Sequence, residues 1–448
     1  MRLETRKLLD KAFSGLGIIA IGVMAMALLL ILTPIVVRGS KAFVFKGTIE
    51  FRRMMLEQFD RGDPDKFNQE AASTAAARAP VYLMMEEFEA EMKAMKSSER
   101  REYKAAFKEV EKSIETLLGP IPGERKPVLL RQQYGQTRWE RTLVKLHEAL
   151  YSEEWDYSNA DAMGLLVEKP RVEQFIGTKL EPMFPYLEEH ISDMMLPKTT
   201  FYWRFITDKS KDSHIFGGIW PEVLGTLYLT LGAMIFAIPM GVIAAIYLCE
   251  YAKEGRVVSF LRICISTLAG VPSIVFGLFG LAFFLNTIHV SNSKSVLAGS
   301  LTLSLLILPT IIRSSEEAIL AVPRAYKEAA LGLGAGRWHT VMSVILPASL
   351  PGILTGIVIS MGRAAGETAP IIFTAAVSVG APLKIWETLS QPTPALPWNI
   401  YNLCTEHEAV DEIRHVQYGM VFTLVAIVLL LNLFAILMRA RISKKLRG

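Results

Sequence analysis

The sequence predicts an all-α membrane protein, with six transmembrane helices and a helical extracytoplasmic insertion between the first two. Three observations carry this. Hydrophobic residues make up 51% of the 448 and charged residues 21%, and mean hydropathy is +0.31, high for a water-soluble chain. Six stretches are apolar over roughly the 20 residues that a helix needs to cross a bilayer. One long polar block, rich in both signs of charge, separates the first stretch from the second. Composition excludes other classes: the chain is too apolar for disorder, and Gly and Pro usage is ordinary. Three Cys always leave one over, so no disulfide framework is expected. A net charge of +4 gives no reason to invoke nucleic acid.

The spans are Leu16–Val37, Leu224–Leu248, Leu268–Leu285, Val296–Ile312, Gly352–Val377 and Met420–Met438. The first follows Arg2, Arg6, Lys7 and Lys11. Its apolar run is longer than a signal-peptide core and no small-x-small cleavage site follows, so it reads as an uncleaved signal anchor. Lys and Arg then orient the chain. Lys253, Arg256 and Arg262 follow span two; Arg313, Arg324, Lys327 and Arg337 follow span four; Arg439, Arg441, Lys444, Lys445 and Arg447 end the chain. The alternate loops hold only Lys294, Lys384 and Arg414. Both termini and two loops are therefore expected on the cytoplasmic side, in a multi-pass protein whose basic residues set topology.

This divides the chain into a tail and first span (1–37), an outer domain (38–216) and a membrane domain (217–448). In the outer domain Tyr103, Phe107, Val110, Ile114 and Leu117 recur at helical spacing, as do Trp139, Leu143, Leu146 and Leu150. Pro120-Ile121-Pro122-Gly123 breaks between them. A run from Val81 to Lys96 is placed to fold back at Ser97-Ser98, giving helical hairpins or a small bundle. His147, His190 and His214 are scattered, and no metal-ligand spacing occurs.

The most specific pattern follows span four: Glu328-Ala329-Ala330, three residues, Gly334, nine residues, then Val344-Ile345-Leu346-Pro347. Pro323 can start a helix whose early turns favour Glu328. Ala329 and Ala330 leave a shallow face, and Gly334 and Gly336 let the chain turn. An isolated Glu-Ala-Ala triplet would mean nothing. The full spacing resembles the EAA loop of ABC importer permeases (type I, MetI-like), the helix that docks on the ATPase, over about 323–347. No Gly-x-x-x-x-Gly-Lys-Ser/Thr run is present to cradle ATP phosphates. ATP and Mg are thus expected on a separate ATPase, with no cofactor held by this chain.

Arg363 lies well inside span five with Glu367 one turn on, and Arg313 ends span four. An Arg inside a span costs about 2.5–3.5 kcal/mol on insertion scales. Two readings stand. Arg363 and Glu367 form an internally neutral couple while Arg313 anchors the inner end; or the guanidiniums are forks for a tetrahedral oxyanion. Pro239, Pro272, Pro309 and Pro370 interrupt spans, either as packing kinks or to free backbone N–H groups for an anion.

Gly217-Gly218-Ile219, Gly225-Thr226, Pro239-x-Gly241, Ile246-Tyr247-Leu248-Cys249-Glu250-Tyr251-Ala252, Gly270-Val271-Pro272-Ser273, Arg313-Ser314-Ser315-Glu316-Glu317-Ala318, Gly362-Arg363-Ala364-Ala365-Gly366-Glu367-Thr368-Ala369-Pro370 and Ala395-Leu396-Pro397-Trp398-Asn399 follow in that order. Over about Phe216 to the C-terminus this is similar to the PstA-type permease family of phosphate ABC importers. The resemblance implies a PstC-type second permease, a PstB-type ATPase pair, a PstS-type outer phosphate-binding protein and a bacterial inner-membrane location. It also implies Arg313, Arg363 and Glu367 along a phosphate path. The long outer domain departs from the family. Other readings are a permease for phosphonate, sulfate or molybdate, or a regulatory or scaffold subunit; no nucleophile–base pair or metal constellation suggests an enzyme.

Overall fold

The computed structural model describes residues 3–124, 127, 129–156 and 165–447; Arg2 of the basic N-terminal cluster lies outside them. The chain forms two compact units, Phe43–Trp203 and the remainder.

In the membrane unit, α1 (Leu3–Ser40) presents Leu, Ile and Met side chains outward over most of its length, as a lipid-facing span does. The outer unit is mainly helical, though not wholly. Its elements are β1 (Val44–Gly47), α2 (Ile49–Phe59), α3 (Pro64–Ala94), α4 (Ser97–Leu118), α5 (Leu130–Gln133), α6 (Trp139–Leu150), β2 (Tyr151–Asp156), β3 (Leu165–Pro170), α7 (Met183–Met195) and β4 (Lys198–Phe201). β1 pairs antiparallel with β4, Val44 opposite Phe201, and β2 with β3, Tyr151 opposite Pro170. These ribbons are too short for their alternation to be seen in sequence.

The expected hairpin forms. α3 ends at Ala94, α4 begins at Ser97, and α4 stops at Leu118 before Gly119 and Pro120. Phe107, Val110, Ile114 and Leu117 line the core with Val81, Phe88, Phe175, Leu187 and Met194. The ring of Phe88 packs edge-on to Tyr103, Phe107 and Phe175. The expected α6 stripe meets the core at Trp139, Leu146 and Leu150, with one residue turned away. Leu146 is buried, but Leu143 is exposed and Thr142 and Ala149 complete the inner face. Position 142 lies four before Leu146, so a small polar residue holds the inward slot beside Leu143.

Beneath the alanine-rich part of α3 lies a buried charge. Arg78 donates to Glu50 Oε1 (2.9 Å), to the Leu118 carbonyl (2.9 Å) and to the Met194 carbonyl (3.0 Å). Its side chain is 7% exposed and that of Glu50 0%. One guanidinium thus joins α2, α3, the end of α4 and α7, and such a charge is tolerable only because its donors are engaged. Nearer the surface, Glu70 on α3 meets Lys198 on β4 (2.5 Å) and Arg52 on α2 (2.6 Å). Burial works against the charged Glu70 carboxylate, but the Lys198 hydrogen bond and the Arg52 and Lys198 charges outweigh it and hold its pKa below the ordinary glutamate value.

The membrane unit continues with a hairpin of β5 (Ser210–Lys211) and β6 (Phe216–Gly217), then α8 (Trp220–Ile246), α9 (Arg256–Ala269), α10 (Ser273–Gly280), α11 (Val296–Leu320), α12 (Arg324–Gly332), α13 (Arg337–Thr340), α14 (Leu346–Gly366), α15 (Ala369–Thr374), α16 (Leu396–Thr405) and α17 (Arg414–Arg447). Five helices among the described residues are long and apolar enough to span a membrane, and a bent pair makes a sixth crossing possible.

Two expected spans are redrawn. The third is not one rod: Arg256–Ala269 and Ser273–Thr287 meet at 100°. Pro272 lacks an N–H and biases Val271 away from helix, and Gly270 adds freedom just before it. The fifth runs from Arg337 to Gly366 rather than from Gly352 to Val377. It stops because Glu367 turns extended (ψ 129°) ahead of the Ala369-Pro370 start of α15. α11 also continues to Leu320, so Arg313 lies inside it rather than at its end.

Glycines set the packing at the centre. A Cβ on Gly356 would fall 1.8 Å from Ser314 Oγ, and one on Gly352 2.6 Å from the Ala318 Cβ, so α11 and α14 run antiparallel in close contact. Lys294, the cation expected in an outer loop, donates to the Ile372 carbonyl (2.7 Å) at the C-terminal end of α15, where positive charge is favoured.

Two outcomes test the outer unit. Arg78→Met leaves Glu50 with one basic partner and should destabilise the unit by about 3–5 kcal/mol, with Arg78→Met/Glu50→Leu recovering part of it; hydrogen exchange of α3 and α7 in the full chain reads this. Because the folded pKa of Glu70 is lowered, its stabilisation is present above the ordinary glutamate value and lost as pH falls through the lowered one. Protection of β4 should therefore fall on acidification in the wild type and show a weaker pH dependence in Glu70→Gln.

Candidate functional site: a helix end at mid-bundle depth and an inner surface helix

Arg363 sits in the last turn of α14 and its Nε donates to Glu367 Oε1 at 3.2 Å. The expected i, i+4 couple is present. Depth along the bundle follows from the glycine contacts. Gly356 lies against Ser314, and Arg363 is seven residues, or about 10 Å, further along α14. That brings it level with Leu306 and Ile307, and its neighbours Met361 and Ala364 share their apolar cluster. These residues are near the middle of α11. The helix therefore ends inside the bundle, with Arg363 in its last turn, where a cation faces the carbonyl end.

The Arg363 side chain is 39% exposed and that of Glu367 19%. Nε is the one guanidinium nitrogen with a hydrogen-bond partner among the described residues, leaving both terminal nitrogens open. The couple is thus not enclosed within this chain. Glu367 and Ala364 also line a small void with Thr226, Thr230 and Leu303.

Arg313 is not beside Arg363. It is next to Ser314 and so about 10 Å away along the bundle axis, toward the end that leads into α12. Its side chain is exposed and donates to Ser266 Oγ on α9. The two guanidiniums form steps along the bundle rather than one pincer.

At the end of the bundle where α11 closes, α12 follows Pro323 and has no buried residue, with Glu328 and Ala329 exposed and Ala330 half-buried. Gly334 takes φ +85°, a left-handed turn that a side chain would strain. Tyr326, Leu331 and Trp338 are exposed around it, and Leu333 is 90% exposed. These apolar side chains stand exposed on an otherwise polar loop. Lys327 on α12 pairs with Glu250 (2.5 Å), and Arg262 on α9 with the buried Glu316 (3.3 Å). None of these pairs was singled out in sequence, although a Glu closing an apolar span, as Glu250 does, is a usable signal.

His214 is likewise not an isolated residue. It is buried, with Nε2 2.8 Å from Glu222 Oε1, and Asn399 Nδ2 donates to the same oxygen (3.0 Å) and to the Ser378 carbonyl (3.0 Å). This knot fastens the β5–β6 hairpin, the first turn of α8, the 375–395 loop and α16. Among the described residues no three metal-capable side chains come together.

Spans broken inside the bundle, basic side chains at two depths and a surface helix of the EAA pattern define a transporter permease. A family model described as "Binding-protein-dependent transport system inner membrane component" matches residues 237–448. The chain is 35% identical over 257 residues to the probable ABC transporter permease protein YqgI of Bacillus subtilis, covering 54% of this chain and 85% of that one. It is 33% identical over 231 residues to the phosphate transport system permease protein PstA 1 of Mycobacterium tuberculosis (52% and 72%). With PstA of Yersinia pestis the identity is 35% over 222 residues (49% and 71%). The chain belongs to this family of ABC transporter permeases, as a multi-pass membrane subunit and not an enzyme.

Glu222→Leu should strand the buried His214 and Asn399 donors, at about 1–3 kcal/mol for each group left unsatisfied. A lowered thermal unfolding midpoint of the detergent-solubilised protein is expected; an unchanged midpoint would refute the role of the knot.

Proposed function

We propose that the chain is the permease subunit of an ATP-driven phosphate importer, forming part of the phosphate path. The observation that carries this is Arg363: a guanidinium at mid-bundle depth, partly exposed, with Nε held by Glu367 and both terminal nitrogens open. A planar fork suits the paired oxygens of a tetrahedral oxyanion. Arg313, one step inward, receives the same ion next, and Glu367 competes for Arg363 so that the anion is released rather than trapped. The PstA relatives, named for phosphate transport, support phosphate over other oxyanions.

The remaining parts follow from the same reading. A PstS-type binding protein delivers phosphate on the outer side, and a PstC-type permease completes the path. A PstB-type ATPase pair binds ATP and Mg and docks on α12 through Glu328, Ala329, Ala330 and the Gly334 turn. Hydrolysis there shifts the spans between outward-open and inward-open states. The chain lies in the bacterial cytoplasmic membrane with both termini inside, as its basic loops favour.

In vesicles with normal complex assembly, Arg363→Ala should lower phosphate uptake about 10- to 100-fold, the scale of lost hydrogen bonds to a charged group. Arg363→Lys keeps the charge without the fork and should fall between. Wild-type uptake by Arg363→Ala would reject the path role, and equal competition by sulfate or molybdate would reject phosphate as the cargo.

A further inference from the structure

Four charged side chains meet at the inner end of the membrane unit and are not explained by topology or by an oxyanion path. Lys327 comes from α12, Glu250 from the turn that closes α8, Arg262 from α9 and Glu316 from α11. Both carboxylates are nearly enclosed, Glu250 at 11% and Glu316 at 5% exposure. Such carboxylates need basic partners, so the pairs constrain where α12 and α9 can lie.

The contacts form one continuous chain. Lys327 Nζ binds Glu250 at 2.5 Å. The segment carrying Glu250 is a widened helical turn, in which the Ala252 N–H reaches back to the Tyr247 carbonyl (2.8 Å). The Leu248 carbonyl in this turn accepts from Arg262 Nη2 (3.5 Å), and the Cys249 thiol lies 4.0 Å from the Glu316 carbonyl. Arg262 Nε reaches Glu316 at 3.3 Å. One turn on along α9, Ser266 Oγ donates to the Arg262 carbonyl (2.9 Å) and accepts from Arg313. An apolar cluster of Ala245, Ile319, Val341 and Ile345 packs the same end of the bundle. Widened turns of this type recur at functional positions in helices.

We propose that Lys327–Glu250 and Arg262–Glu316 form a charged strut that carries displacement of the surface helix α12 to α9 and, through Ser266, to Arg313. The four residues are positioning residues: the strut sets where Arg313 stands when α12 is moved from outside the chain. This rests on the proposed ATP-driven transport, and it adds the route by which the stroke reaches the inner anion step.

The test uses the whole complex, with its ATPase, second permease and binding protein, in proteoliposomes. Glu250→Gln should leave ATP hydrolysis without cargo unchanged and lower phosphate-stimulated hydrolysis about fivefold or more, the scale of an allosteric coupling. The reversed pair, Glu250→Lys/Lys327→Glu, should restore most of it. Hydrogen exchange of the α12 amides reads the tie itself. It should quicken in Glu250→Gln and slow again in the reversed pair, which a general loss of packing would not produce. Unchanged exchange in Glu250→Gln overturns the strut, as does quicker exchange with wild-type stimulation, and so does a reversed pair that restores neither. If the wild-type complex shows no phosphate stimulation, the phosphate reading falls and the strut stands or falls on α12 exchange.

Discussion

The membrane unit is organised around the cost of placing a guanidinium among apolar helices. On insertion scales that cost is about 2.5–3.5 kcal/mol for an Arg at the centre of a span. Arg363 is accommodated by three features together. α14 stops at Gly366, so its carbonyl end faces the cation; Glu367 supplies a carboxylate one turn away; and the side chain remains partly open. Beyond the early stop of α14 the chain re-forms as α15, whose Ile372 carbonyl accepts from Lys294. A continuous apolar helix in this position would need none of these.

Close helix approach makes the arrangement rigid enough to use. Glycines at 352 and 356 let α14 touch α11, and Gly241 lets α8 reach Ile311. Gly277 and Gly280 bring α10 against Ala369, Pro370, Thr302 and Thr374. Between helices in a bilayer, packing of this kind replaces the hydrophobic drive that water supplies elsewhere. The bent pair α9–α10 is held in both halves: α9 is tied by Arg262 and Ser266, and α10 rests on α15.

The outer unit solves a similar problem by a different route. Arg78 is enclosed by four segments and compensated by Glu50 and by backbone carbonyls. There the charge ties helices together beside an apolar core. In the membrane unit the charges stand partly at helix ends, as Arg363 and Glu250 do, and partly within helices, as Arg262, Arg313 and Glu316 do.

Much of this was written in the sequence. Apolar runs of bilayer length marked the five helices able to cross and the region of the bent pair, because a helix satisfies its backbone locally wherever the chain lies. The asymmetry of Lys and Arg gave an expected orientation, and the Glu-Ala-Ala spacing with Gly334 marked the surface helix, since these signals are local. The four-residue separation of Arg363 and Glu367 allowed their pairing, which the structure shows. Tertiary structure alone decided where α14 ends, how sharply α9 and α10 bend, and that Leu143 faces outward while Thr142 faces in. It alone brought Glu250 to Lys327 and Glu316 to Arg262, residues 77 and 54 positions apart. No local pattern encodes such pairs, because their energy exists only when distant segments close around both charges and exclude water.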